Sequence, residues 1–225
     1  PTGFLGGTGP VGQTGPVGET GPAGTDLAAT GWGSYIYYDD GPNEWVVGTD
    51  EIRLGTDAGR TAQQSDAVAI GHEAGASGQS MSAIAIGPKA GELQQSASAI
   101  AIGSSAASQS QGTSAVAIGT NAGDSAQKDF AVAIGFRAGL TGGTNAVAIG
   151  HRAGTQQQDS TVAIGDMAGV NQGSGSIAIG FNADNGGAKS AIAIGSDAAG
   201  SQLTSDIAIG TSAGGTQQVG GCIAI

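Results

Sequence analysis

Apolar positions in this chain follow a fixed short cycle. Val or Ile, then Ala, then Ile precede a Gly, and that Gly stands at 71, 87, 103, 119, 135, 150, 165, 180, 195 and 210. A looser copy, Ile52-Arg53-Leu54-Gly55, comes first, and Ile223-Ala224-Ile225 begins another. Successive glycines lie sixteen places apart up to Gly135 and fifteen from there to Gly210. A constant period this short predicts a solenoid. Within each unit the alternation has period two, which predicts a strand. Val68 and Ile70, Val116 and Ile118, and Val132 and Ile134 share one face of their strands. Ala69, Ala117 and Ala133 point to the other face.

Gly after Ile permits a tight bend, and the Gly that usually follows the next constant Ala permits a second. A polar, Gln/Ser/Thr-rich strand completes the coil. Fifteen or sixteen residues accommodate two short strands and two turns. The expected fold is therefore all-β, a flattened parallel β-roll, because a triangular coil usually needs more residues. At about 4.8 Å per coil the repeats make a rod of roughly 50 Å. Gln lies seven or eight places after the repeat Gly in nine of eleven complete copies. Gly142-Gly143 and Gly186-Gly187 replace it in the other two. Such amides are expected to bond from coil to coil in a ladder.

So thin a roll buries little apolar surface, which favours assembly. The larger side chains, Val68, Ile70, Val116, Ile118, Val132 and Ile134, are the expected core of each roll. The smooth Ala face (Ala69, Ala117, Ala133) is the expected contact between chains.

The chain divides in three. Residues 1–26 carry Gly at every third place from Gly3 to Gly24, with Pro10, Pro16 and Pro22 directly after a Gly. Only Gly fits the axis of three wound polyproline chains, so this stretch reads as a collagen-like stalk and calls for two further copies of the chain. It resembles the collagen-like stalks of microbial and viral surface proteins. Residues 27–50 hold Trp32, Tyr35, Tyr37, Tyr38 and Trp45 around the turn Gly41-Pro42-Asn43. Aromatic and β-branched runs flanking such a turn predict a hairpin. Trp32, Tyr35, Tyr37 and Trp45 are expected to form a neck that caps the first coil, with sugar stacking as the alternative use of their faces. Asp39, Asp40, Asp50 and Glu51 read as a solvated turn and lack the spacing of a calcium loop. Residues 51–225 are the β-roll domain.

A net charge of −11, with seven Lys and Arg, disfavours nucleic acid and anionic membrane surfaces. No run approaches the length of a membrane-spanning helix. Cys222 cannot form an intrachain disulfide and is expected as a buried thiol on the Ala face, where three copies would approach. The chain starts at Pro1 and not Met, so it is expected to be a fragment whose targeting segment is missing or removed. Ending inside a repeat, it is expected either to continue past Ile225 or to have its ordered part stop there.

No catalytic, metal or cofactor constellation stands out. Ile70-Gly71-His72-Glu73-Ala74-Gly75 fits one hexapeptide of the left-handed β-helix acyltransferases, but that fold needs consecutive hexads. His72 and His151 share a turn position that elsewhere holds Thr, Pro, Ser, Phe or Asp, as a solvated turn does. The same row lacks the rank of Thr that an ice-binding face requires. Phe136 and Phe181 interrupt its polar character and are candidate contacts.

The unit Ser114-Ala115-Val116-Ala117-Ile118-Gly119-Thr120-Asn121-Ala122 resembles the head repeat of trimeric autotransporter adhesins. The likeness covers residues 51–225, although the period is longer than that family's usual 14 and Ala-Gly follows the turn. It implies a left-handed parallel β-roll that trimerises. It also implies a non-enzymatic fibre on a cell or virion surface, used in attachment to a cell-surface or glycan receptor and without a cofactor. A filament of trimers joined end to end, with no receptor, is the alternative. A solenoid acyltransferase ranks below both.

Overall fold

The computed structural model describes residues 32–39, 41–48, 50–184, 186–187, 189–199, 204–214 and 221–225. The Gly-X-Y stretch at 1–26 lies outside the described residues. Twelve three- or two-residue strands, from Ile52–Leu54 to Ile223–Ala224, form one parallel sheet in strict chain order. Each strand sits on the next in register, as in Val116 on Val132 and Ile118 on Ile134. Paired positions are sixteen apart in sequence up to Ala117–Ala133 and fifteen from Ala133–Ala148, and the last pair, Ile207–Ile223, returns to sixteen. The opposite side of the roll is lighter. Ser77–Gln79 pairs with Leu93–Gln95, and Ala126–Gln127 with Thr141–Gly142. Bridges Gln95–Gln111 and Gln111–Gln127 continue it. The residue lost in the shorter coils comes from this side, between the Ala-Gly turn and the Gln.

Turns stack as regularly as strands. In the coil of Gly119, the Ala122 N–H donates to the Gly119 carbonyl at 3.2 Å, closing the turn. Asn121 N–H reaches back to Ser104 O (3.0 Å) and Gly123 N–H forward to Ala138 O (2.9 Å). The residue two places after each repeat Gly takes the left-handed conformation whatever its type, from Asn121 (φ 56°) to Arg137 (φ 54°) and Met167 (φ 55°). So does the residue five before it, which explains the frequent Ser there (Ser82, Ser98, Ser114). Short polar side chains reach that region more readily than branched ones.

The assignment of the two strand faces is the reverse of the expectation. Ala69 and Ala117 are fully buried and Ala133 is 1% exposed, all within a single chain. They meet Ala74, Ala122 and Ala138 of the opposite turn in one continuous Ala core. Val68, Ile70, Val116 and Val132 are only half-buried, and Ile118 and Ile134 are exposed. The reason is width. A coil this short brings its two walls too close for branched side chains, and the space holds methyl groups and, in most coils, one Gln amide. The aliphatics must therefore face outward. Ala69, Ala117 and Ala133 are accordingly core residues and not a chain-to-chain face. Cys222, half-buried, continues the inward row and not an axial one.

The hairpin forms as expected, with Tyr35–Asp39 antiparallel to Glu44–Gly48. It joins the first coil through Tyr35, whose hydroxyl donates to Glu51 O (2.7 Å) and accepts from Arg53 N–H (2.9 Å). Burial there pushes the Tyr35 hydroxyl pKa up. Tyr37 packs 5.8 Å from Tyr35, Trp45 sits edge-on to Tyr38, and Trp32 is fully exposed.

Candidate functional site

Three features distinguish this roll: a polar ladder inside, an apolar face outside, and a variable row of turns.

The ladder forms where the sequence placed the Gln residues. Gln79, Gln95 and Gln111 are at most 1% exposed. Each Nε2 donates to the Oε1 of the next Gln at 3.1 Å, along the series Gln79, Gln95, Gln111, Gln127. Each Nε2 also donates to two carbonyls of its own coil, as Gln111 does to Ile100 O (2.8 Å) and Ala115 O (3.2 Å). The amide thus closes the roll from within, since buried carbonyls need donors. Gly142-Gly143 interrupts the series, and Gln157 to Gln172 resumes it at 3.3 Å. At the N-terminal end Arg53 replaces the inward Ala, and its Nε donates to Gln63 Oε1 at 2.6 Å. The guanidinium of Arg53 lies 5.3 Å over the Tyr37 ring, so this ring face already has a partner. The odd residue at the −2 position thereby becomes the plug of the core.

The second coil without a Gln carries a compensating exchange. Where the other coils have Gly or, in two of them, Ala (Ala107, Ala199), this one has Asp184, with φ 46° and no exposure. In the preceding coil a Cβ on Gly169 would come 2.7 Å from Gln172 Oε1. With Gly186-Gly187 in place of Gln, no amide competes for that space, and Asp184 is fully buried. Neither of its oxygens meets a hydrogen-bond partner among the described residues. Burial raises its pKa to about 6, and the nearby Gly186 backbone N–H pulls the other way. A folded-state value above the unfolded 3.8 means the fold favours the protonated acid. That stability is complete below pH 3.8 and is lost as pH rises through about 6. Asp184→Asn, whose amide donates as the Gln residues do, is expected to raise the urea midpoint at pH 7.5. The gain is on the order of 2 kcal/mol and vanishes near pH 4. An equal gain at both pH values would refute a titrating Asp184.

The outer face is continuous. Val or Ile occupies both outward places in every coil after the first, and Ile118, Ile134, Ile149 and Ile164 are 36–37% exposed. Aligned in register along one sheet, these half-exposed aliphatics make one contiguous apolar surface, the kind of patch that marks an interaction site.

The turn row is mixed. His72 lies 3.6 Å from Glu73, and Glu73 pairs with Lys89 at 2.9 Å. The hydrogen bond from Lys89 holds the Glu73 carboxyl below its usual range. Asp57, His72 and Glu73 bring one ligand atom each within 4.8 Å of one another, but Lys89 already supplies their positive charge. His151 stacks on Phe136 and bonds Asp166 at 2.7 Å, both within the chain. Phe181 is exposed.

The family model described as YadA head domain repeat (2 copies) matches residues 62–90, 110–138, 142–168 and 157–183. The matched coils are similar to YadA head domain repeats. The first match begins in the second half of the coil that carries Arg53, and matches fall on both sides of the change of period at Gly135, so coils of both lengths are similar to the family repeat. The resemblance to the β-roll head of trimeric autotransporter adhesins therefore rests on both the repeat sequence and the observed solenoid. No curated protein and no solved structure matches the chain.

Proposed function

We propose that this chain is a non-enzymatic, homotrimeric surface-fibre protein with a structural and adhesive role, exposed on a cell or virion. The observation that carries the reading is the unbroken Val and Ile face along the whole roll. Its Ala core is already complete within one chain, so the outward aliphatics serve a contact between chains. Fully burying a branched aliphatic is worth roughly 1.5–3 kcal/mol, and part of that gain is still unused in the single chain. The Gly-X-Y triplets at 1–26 support three as the number, because a collagen helix takes three chains. The YadA head repeats support the same stoichiometry and a surface location by family likeness. In this reading residues 1–26 are the stalk, 27–50 the neck and 51–225 the head.

Sedimentation equilibrium on the full chain tests it. The expected mass is three times the 21.4 kDa of one chain. A single chain or a pair at micromolar concentration would refute the trimer, and long filaments in micrographs would favour the end-to-end alternative.

A further inference from the structure

The turn row holds one arrangement that neither the apolar face nor the ladder uses. Phe136 and His151 follow their repeat glycines on consecutive coils, with ring centroids 5.6 Å apart and planes 16° from parallel. Arg137 and Arg152 come next, both exposed and both left-handed at φ 54°. Arg137 N–H donates to Thr120 O (3.0 Å) and Arg152 N–H to Phe136 O (2.8 Å), so the two arginine stems leave the surface in register. They are one coil apart, about 4.8 Å.

Among the described residues no carboxylate forms an ion pair with either guanidinium. Asp166 is held by His151 at 2.7 Å. Elsewhere on this side of the roll charges are matched, Arg60 with Asp57 and Lys89 with Glu73 and Glu92. Like charges on neighbouring strands cost stability. This chain has 18 acidic residues against seven bases, yet leaves these two cations side by side and uncompensated. Two guanidinium forks at that spacing suit a carboxylate or sulfate, each fork binding through paired N–H donors. The adjacent stacked rings offer a flat apolar surface with polar edges.

We propose that Phe136, Arg137, His151 and Arg152 form a binding site for an acidic saccharide. Its anionic group sits on the two guanidiniums and one sugar face lies on the Phe136–His151 stack. The site gives chemistry to the adhesive role proposed above and rests on that reading, but it is complete within one chain.

The test is surface plasmon resonance on the full chain at low salt. The probes are heparin, which is sulfated, hyaluronan, which is carboxylated, and neutral dextran. Binding to at least one of the two anionic polymers is expected, and none to dextran. The polymer preferred identifies the acidic group. Arg137→Asn with Arg152→Asn is expected to weaken binding about tenfold or more. Asn121 and Asn182 already hold the equivalent turn position, so the coil has a precedent for the exchange, and circular dichroism checks that it is retained. Phe136→Ser is expected to weaken binding as well, whereas Lys128→Gln with Lys189→Gln leaves it unchanged. Failure to bind either anionic polymer overturns the site, as does binding that survives loss of both arginines or follows the lysines. Unchanged affinity in Phe136→Ser overturns the sugar-face contact. A chain that sediments alone yet binds through Arg137 and Arg152 would overturn the trimeric fibre and leave the site standing.

Discussion

Ile134→Asp combined with Ile149→Asp is expected to reduce the sedimenting mass from three chains to one. These side chains sit on consecutive coils and are 36% and 37% exposed in the single chain. In a monomer the two carboxylates would simply face water. In a trimer joined through this face, six of them would enter one apolar seam. Each unpaired ion taken out of water costs several kcal/mol even after relaxation. No gain along the rest of the rod offsets that locally, so the seam opens. Ala133→Val is the informative contrast. Ala133 is buried beside Ala138, and two extra methyl groups there overfill the coil. The expected result is a lower unfolding midpoint by about 1–3 kcal/mol within each chain. If Ala133→Val dissociated the trimer while the Ile134→Asp pair left it intact, the outward aliphatic face would not be the seam.

That contrast also locates what was legible in the sequence. Period, strand positions, both Gly bends, the hairpin and the Gln ladder all follow from residue spacing. Which strand face is inside does not. Ranking side chains by hydrophobicity places Val and Ile in the core, yet coil length sets the interior width and admits only Ala. The sequence does carry a sign of this. One outward place interchanges Val116, Val132 and Ile177, as a face against a deformable neighbour can, while the other holds Ile in every coil after the first. Inward places stay small, and their exceptions are Arg53, which plugs the end, and small polar residues such as Thr161 and Ser176. Small size, and not hydrophobicity, marks the tight interior. The arginine pair is hidden for a different reason. Arg137 and Arg152 lie a full coil apart along the chain, and only stacking in register makes them neighbours. Phe136 is visible as an anomaly in its row, but its partner can be found only across coils.

Gly119→Ala is expected to destabilise the roll by about 3–5 kcal/mol, combining backbone strain and overpacking. Two causes act together. Gly119 has φ 126°, a conformation that side chains oppose. A Cβ there would also lie 2.7 Å from Gly135 O and 2.8 Å from Gly135 C, both backbone atoms of the next coil. Neither can move without breaking the bond from Gly135 N–H to Ile118 O (2.8 Å) that carries the stack. The other bend glycine differs. Gly123 has φ 58°, and the equivalent places hold Ala107 (φ 47°) and Ala199 (φ 63°) in two coils of this same chain. Its nearest obstacle, Gln127 Oε1 at 2.9 Å, ends a side chain and can give. Gly123→Ala is therefore expected to cost only about 1 kcal/mol, the usual penalty of a left-handed alanine. Urea unfolding of both variants measures the difference. Equal losses would mean that the coil-to-coil approach at the repeat glycine does not fix it as Gly, and that left-handed geometry alone explains both positions.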